Sequence, residues 1–129
     1  GIYRKILLVA TEKMSTVTDY TDRSTCILFG DGASASIIAD EGAGLEISAP
    51  CLGADGNLAE LIMIPAGGSH LPTSAETVEQ REHFIKLNGK EVFKQAVRRM
   101  AATSVKCLEA AGLDIHRIAW LVPHQANAR

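Results

Sequence analysis

The sequence predicts an α/β fold, because short apolar runs typical of strands stand before and after one long amphipathic helix. Strands are predicted over 6–10 and 33–39. The helix is predicted from Asn88 to Gly112, and the apolar run 118–122 follows it after a short connection. Helix, connection and strand in this order form an α/β segment.

The segment between the first two strands is predicted to contain a loop and a hairpin. Residues 14–25 are polar and predict a loop or an irregular helical turn. Residues 26–29 are apolar and predict a strand, which Gly30-Asp31-Gly32 would connect to 33–39. The Asp-Gly pair favours a tight turn because glycine adopts positive φ without steric cost.

A polar, glycine-bearing break over 40–44 is interpreted as a boundary between two half-domains, 1–42 and 43–129. Further strands are predicted after it, over 45–52 and 61–64.

Residues 66–82 lack periodicity and predict a mobile surface excursion. His70 and His83 have no carboxylate or cysteine at the spacing of metal ligands, so both are predicted to be surface residues.

The helix has clear start and stop signals. Asn88 can cap its first turn while Glu91 reaches back in a capping box, and Gly112 ends it. Asp114 can then cap a short turn through His116. The helix face predicted to join the core consists of Phe93, Ala96, Val97, Met100, Ser104, Cys107, Leu108 and Ala111.

His124 is the candidate catalytic residue that the pattern places best. The predicted strand 118–122 ends at Pro123, so His124 would stand at a strand's carboxyl end, where ligands bind in open α/β sheets. Histidine also has the side chain whose ordinary pKa is closest to neutral pH. On position alone, a surface or hydrogen-bonded histidine remains the alternative.

Composition and cysteine count indicate an ordinary soluble globular protein of a reducing, cytoplasmic setting. Of 129 residues, 47% are hydrophobic and 22% charged. The three cysteines form no CxxC pair and no cluster with histidine, which predicts neither a disulfide framework nor a metal site. Cys26 and Cys107 are predicted to be buried structural residues, and nothing around Cys51 would lower its pKa.

Charge is distributed unevenly along the chain. Residues 1–85 carry five Lys and Arg against twelve Asp and Glu, whereas residues 86–129 carry eight against three. The basic part predicts an anionic partner or a solvated helix face. The acidic first part and the 5% aromatic content argue against nucleic acid as a partner, and no run reaches the ~18 apolar residues of a membrane helix. The main basic residues of the part 86–129 are Lys86, Lys90, Lys94, Arg98, Arg99 and Lys106.

Four motifs, taken in order, resemble the β-ketoacyl-acyl-carrier-protein synthase III family of the thiolase fold. They are Thr21-Asp22-Arg23-Ser24-Thr25, Phe29-Gly30-Asp31-Gly32-Ala33, Asn88-Gly89-Lys90-Glu91-Val92-Phe93-Lys94 and Pro123-His124-Gln125-Ala126-Asn127-Ala128-Arg129. The resemblance implies a partial thiolase-like fold: 1–42 would end its N-terminal half and 43–129 would begin its C-terminal half. The chain would then be an internal fragment.

The resemblance implies a catalytic role for His124, which would stabilise negative charge on a thioester oxygen while a malonyl group loses carbon dioxide. It places the nucleophilic cysteine before Gly1 and a partner asparagine beyond Arg129. The chain alone is therefore expected to be inactive.

The resemblance also implies the binding residues. Arg23 would lie near the coenzyme A nucleotide, with an ion pair to Asp19 or Asp22 as the alternative. Gly89 and Phe93 would line the pantetheine tunnel, although pattern alone makes Phe93 a core residue. Asn127 would contact the pantetheine arm, with a turn cap as its alternative. The residues expected to bind acyl carrier protein are Gln125, Ala126, Asn127, Ala128 and Arg129.

The implied activity is the condensation of a short acyl-CoA, acetyl-CoA, with malonyl-acyl carrier protein at the start of type II fatty-acid synthesis. No cofactor is expected, since acyl-CoA is a substrate, and a homodimer is expected to form in part through 1–42. Two alternatives remain: a related condensing enzyme of secondary metabolism, and a non-catalytic scaffold that binds the carrier.

Overall fold

The computed structural model describes residues 2–125, and within that range the chain divides into two units. The first contains the residues up to Glu46 together with Ile64–Lys86, and the second contains Ile47–Met63 together with the residues from Leu87 onward. The division of the chain into half-domains at 42 and 43 stays a prediction.

Two long antiparallel strands dominate the first unit. Strand β1 (Lys5–Lys13) pairs with β2 (Asp31–Ala39) so that Lys5 stands opposite Ala39 and Lys13 opposite Asp31. The strands predicted over 6–10 and 33–39 are confirmed, and each extends beyond its predicted bounds.

The predicted strand over 26–29 and its Asp-Gly hairpin are wrong. Asp31 and Gly32 lie inside β2, and residues 23–28 form successive turns. The backbone N–H groups of Thr25 and Cys26 both donate to the carbonyl of Asp22. Because these donors are used in local turns, they are not available for a strand ladder.

The segment predicted as a mobile excursion contains a capped helix. Helix α1 (Ala75–Glu79) begins after Ser74, whose hydroxyl accepts from the N–H of Thr77 while the Thr77 hydroxyl accepts from the N–H of Ser74. Thr77 is buried, and its hydroxyl lies 3.0 Å from Nε2 of His83. The surface prediction is therefore wrong for His83, which is half-buried, whereas His70 is exposed as predicted.

Few side chains are buried among residues 2–125, and most of those are polar. Ala66 and Ile85 are the buried apolar residues, and the polar ones are Thr18, Asp19, Thr25 and Thr77. All six belong to the first unit. The N–H of Ile85 donates to the carbonyl of Val17, which connects the segment after α1 to the segment after β1.

The second unit is built around helix α2 (Gly89–Ala111). A 3₁₀ helix over Gly56–Leu61 leads into β3 (Ile62–Met63), which is the neighbour of β4 (Lys86–Leu87) in a two-stranded sheet. The prediction for 61–64 is thus confirmed in its centre.

The predicted strands over 45–52 and 118–122 are wrong, since neither stretch is extended into a sheet. A strand requires hydrogen bonds to a neighbouring strand, and no described segment supplies them to either stretch. Apolar composition alone does not provide that neighbour.

The predicted ends of α2 are confirmed, but only half of the predicted capping box forms. The Asn88 side chain accepts from the N–H of Glu91, whereas the Glu91 carboxylate bonds to Lys94. The N–H of Asn88 donates to the carbonyl of Leu61 instead. Gly112 closes the helix with a φ of 64°, in the left-handed region that favours glycine. The Asp114 cap on the turn Ile115–Arg117 is also confirmed.

The predicted core face of α2 is not buried within residues 2–125. Phe93 is 41% exposed, Val97 52% and Met100 37%. The spacing showed that the helix is amphipathic, but it carried no information about what covers the face. No helix of the described range combines the length and apolar character needed to cross a bilayer.

Replacement of Gly112 by alanine is expected to lower the free energy of unfolding by about 1 kcal/mol, because an L side chain is strained in the left-handed region. Urea unfolding of the complete protein that contains this chain measures the change. Gly53→Ala is the control: it has open space around a Cβ and no positive φ, so a change below about 0.5 kcal/mol is expected. Equal losses in both variants would contradict the view that the left-handed conformation at residue 112 requires glycine.

Candidate substrate-binding and catalytic residues

The segment 18–25, which carries Arg23, is held by side-chain hydrogen bonds to its own backbone. Asp19 Oδ1 accepts from the N–H and hydroxyl of Thr21, at 2.9 and 2.6 Å. Asp22 Oδ1 accepts from the N–H and hydroxyl of Ser24, at 2.9 and 2.7 Å. These bonds define two successive turns, over 19–21 and 22–24, and Arg23 is the middle residue of the second.

Asp19 also binds a residue 62 positions away in the sequence. Arg81 donates through Nε to Oδ2 at 2.9 Å and through Nη2 to Oδ1 at 2.6 Å. The hydrogen bonds from Arg81 and then Thr21 hold the pKa of Asp19 well below its usual range, and Asp19 in turn raises the pKa of Arg81. The pair is a two-point bond between a buried carboxylate and a guanidinium.

Arg23 itself is exposed, in the middle of the second turn. Its predicted alternative, an ion pair with Asp19 or Asp22, does not form: Asp19 binds Arg81, and Asp22 accepts from Ser24 and Thr25. The ion pairs found among residues 2–125 involve other cations. The Arg23 guanidinium is therefore placed on the surface of the first unit.

Gly89 and Phe93 lie one turn apart at the start of α2 and share a helix face. Phe93 is partly exposed, so a ligand could contact its ring. A Cβ built on Gly89 would meet the Leu87 side chain at 3.8 Å, which is ordinary contact. Within the described residues, nothing at this position requires glycine.

His124 and Gln125 are exposed and belong to neither a helix nor a strand. The expected roles of Ala126, Asn127, Ala128 and Arg129 concern residues outside the described range. The structure thus brings Gly89 and Phe93 together on one helix face. Arg23 lies in the first unit, whereas Gly89, Phe93 and His124 lie in the second.

The described residues include all three cysteines, and the surroundings of Cys51 disfavour a nucleophile. All three are free and half-buried, which is less buried than predicted for Cys26 and Cys107. A hydrogen bond with Cys107, together with burial, raises the pKa of Cys51. A raised pKa keeps the thiol protonated and weakens it as a nucleophile. The prediction that nothing around Cys51 would lower its pKa overlooked Lys106, whose charge acts in that direction but is outweighed.

Two of the basic side chains of α2 are paired. Lys94 bonds to Glu91, one turn earlier, and Arg99 bonds to Asp55 at the start of the 3₁₀ helix Gly56–Leu61. The Arg99 bond also lowers the pKa of Asp55. Lys90, Arg98 and Lys106 are exposed and make no ion pair with another described residue.

Sequence reasoning missed Arg81 and the role of Asp19. The Asp-x-Thr and Asp-x-Ser spacings at Asp19 and Asp22 are turn signals and could have predicted the two turns. No sequence signal identifies Arg81 as the partner of Asp19, because the contact joins distant positions.

The chain matches known proteins along its whole length. The family described as 3-Oxoacyl-[acyl-carrier-protein (ACP)] synthase III matches residues 1–56. The beta-ketoacyl-[acyl-carrier-protein] synthase III of Chlamydia caviae is 53% identical over 130 residues, covering 100% of this chain and 39% of the relative. That of Syntrophomonas wolfei is 47% identical over 98% of this chain and 38% of the relative. The chain spans about two fifths of the length of these curated relatives.

Solved structures agree with the sequence comparison. A crystal structure of a 3-oxoacyl-(acyl-carrier-protein) synthase III superimposes with a TM-score of 0.88 at 29% identity, covering 98% of this chain and 41% of the other. The synthase III of Pseudomonas aeruginosa PAO1 gives 0.78 at 35% identity, with 98% and 37% coverage. The chain is therefore part of an α/β protein with the thiolase-like fold. Over almost its whole length it is similar to proteins named 3-oxoacyl- or beta-ketoacyl-[acyl-carrier-protein] synthase III, in agreement with the resemblance of the four motifs.

The stability that Asp19 provides is expected to depend on pH. Its pKa is lowered on folding, so below the ordinary value of about 3.9 the unfolded chain binds more protons than the folded one. The contribution is complete above that value and is lost as the pH falls towards the lowered pKa.

Urea unfolding of the complete protein between about pH 7 and pH 3 measures this dependence. The difference in unfolding free energy between wild type and Asp19→Asn should shrink as the pH falls. Glu79→Gln, at an exposed carboxylate of the same unit, is the control. A difference for Asp19→Asn that is constant with pH would contradict the prediction.

Proposed function

We propose that the protein containing this chain is a β-ketoacyl-acyl-carrier-protein synthase III. It condenses acetyl-CoA or another short acyl-CoA with malonyl-acyl carrier protein and so initiates type II fatty-acid synthesis. The observation that carries the proposal is the 53% identity over the whole chain to a relative of that name. The proposal requires no cofactor, since acyl-CoA is itself a substrate, and places the enzyme in the cytoplasm as a homodimer.

The reaction has two chemical stages. A cysteine thiolate that the resemblance places before Gly1 takes the acetyl group and releases coenzyme A. Malonyl-acyl carrier protein then loses carbon dioxide, and the electron pair of the broken bond forms an enolate at the thioester. The enolate carbon attacks the acetyl thioester, which yields acetoacetyl-acyl carrier protein and releases the cysteine as a thiolate.

His124 acts in the second stage of this proposal. Its Nε2–H donates to the malonyl thioester oxygen, where negative charge grows as carbon dioxide leaves, and the partner asparagine supplies a second donor. A preorganised donor of this kind is worth about 10²–10³ in kcat. A neutral imidazole suffices, because it donates a hydrogen bond and removes no proton in this stage.

The other site residues bind the two substrates. Arg23 is exposed, as a ligand of nucleotide phosphates must be, and its guanidinium fits phosphate by two-point hydrogen bonding. Gly89, Phe93 and Asn127 line the path of the pantetheine arm. Residues 125–129 contact the carrier, and the basic side chains Lys90, Arg98 and Lys106 favour approach of an acidic carrier.

Replacement of His124 by alanine is expected to block condensation and leave acetyl transfer intact. The measurement is the intact mass of the complete protein after acetyl-CoA and again after malonyl-acyl carrier protein. Wild type should gain and then lose the mass of one acetyl group, whereas His124→Ala should retain it because the enolate is not stabilised. His116→Ala, at an exposed histidine elsewhere in the second unit, should behave like wild type.

Other outcomes decide between the alternatives. An adduct only from longer acyl-CoAs would favour a related condensing enzyme of secondary metabolism. Absence of any adduct would favour a non-catalytic scaffold that binds the carrier. If His124→Ala clears the acetyl group at the wild-type rate, His124 has no role in the condensation.

A further inference from the structure

Arg81 has a backbone conformation that an arginine rarely adopts. Its φ is 57°, which makes it the one non-glycine residue at positive φ among residues 2–125. An L side chain is strained there, and such strain persists only where the surrounding structure determines the conformation. Backbone hydrogen bonds at the end of α1 hold it there, since the N–H of Arg81 donates to the carbonyl of Val78 and the N–H of Glu82 to that of Thr77. This helix end directs the Arg81 side chain, whose own contacts are separate from the backbone strain.

Two contacts fix the guanidinium of Arg81. Its Nε and Nη2 donate to the two oxygens of Asp19, and its central carbon lies 4.8 Å from the centroid of the Phe84 ring. The Asp19 side chain is only 7% exposed, whereas that of Arg81 is 47% exposed. The exposed partner therefore compensates a charge that is almost completely removed from water.

The carboxylate that Arg81 binds also organises the segment of Arg23. Asp19 accepts from Thr21, and the carbonyl of Asp19 accepts from the N–H of Asp22. Asp22 then accepts from Ser24 and Thr25, and Thr25 is completely buried. Arg23 is thus held between two anchored residues, and the chain of hydrogen bonds leads back to Arg81.

We propose that Arg81 is a positioning residue for acyl-CoA: through Asp19, it holds the segment 18–25 in the conformation that presents Arg23 to the nucleotide phosphates. This proposal rests on the function proposed above, in which Arg23 binds the coenzyme A nucleotide. Arg81 need not touch the substrate. A preorganised segment costs less conformational entropy on binding than one that orders with the ligand.

The test compares two acyl donors in the complete protein. Acetyl-CoA carries the nucleotide phosphates, whereas acetyl-pantetheine has the same thioester and arm without them. Arg81→Asn removes the guanidinium and keeps a residue that tolerates positive φ, so it separates the side-chain contacts from backbone strain. We expect Arg81→Asn to raise KM for acetyl-CoA about tenfold, within the range for coupled neighbouring residues, and to leave kcat and KM for acetyl-pantetheine unchanged.

Further variants complete the design. Arg81→Lys keeps the positive charge with one attachment point and should give an intermediate KM for acetyl-CoA. Arg23→Ala should raise the same KM, and adding Arg81→Asn to it should have little further effect, because both act through Arg23. Arg4→Gln removes an exposed ion pair with Asp40 in the same unit and should match wild type.

Three results would overturn the proposal, and they are distinguishable. If Arg81→Asn impairs both donors equally, Arg81 only stabilises the fold. If Arg23→Ala raises KM for acetyl-CoA but Arg81→Asn and Arg81→Lys do not, the nucleotide role of Arg23 stands and the positioning role of Arg81 fails. If Arg23→Ala has no effect, or wild type uses neither donor, the proposed function itself fails, and the role of Arg81 fails with it.

Discussion

The buried carboxylate of Asp19 is the constraint on which the first unit depends. It accepts four hydrogen bonds, two from Thr21 and two from Arg81, and these compensate the cost of removing a charge from water. A group of this kind fixes the positions of all its donors at once. The turn that follows β1 and the residues that follow α1 therefore have one mutual arrangement, with little apolar burial to maintain it.

Local signals predicted the elements that are themselves local. Helix α2 begins after Asn88 and ends at Gly112 because a cap and a left-handed residue act within a few positions. Strands β1 and β2 were found because they are long and supply each other with hydrogen bonds. The apolar stretches 45–52 and 118–122 have the composition of strands, but the described part of the chain provides no neighbour for them. An apolar composition indicates a tendency to form a strand, but the strand forms only where a second segment pairs with it.

At the candidate site too, the sequence predicted local features but not the contacts between distant positions. The motifs identified the residue types and their order, and Arg23 is exposed, as its proposed contact with phosphate requires. What holds Arg23 there was not predictable, because Asp19 and Arg81 lie 62 positions apart and arginine is common in loops. The positive φ of Arg81 is equally invisible in the sequence, since glycine or asparagine would be expected at such a position.

The charges of α2 set a limit on how the carrier could be recognised. Lys94 and Arg99 already bond to Glu91 and Asp55, so a new contact with an acidic partner would have to compete with an existing bond. Exposed ion pairs contribute little to stability, so exchanging one of them for an ion pair with the carrier would add little affinity. Lys90, Arg98 and Lys106, which make no ion pair within residues 2–125, still produce a positive field, which acts over about 10 Å at moderate salt. In the proposed function, the helix should therefore affect the rate at which the carrier arrives, and its affinity must come from contacts nearer the pantetheine path.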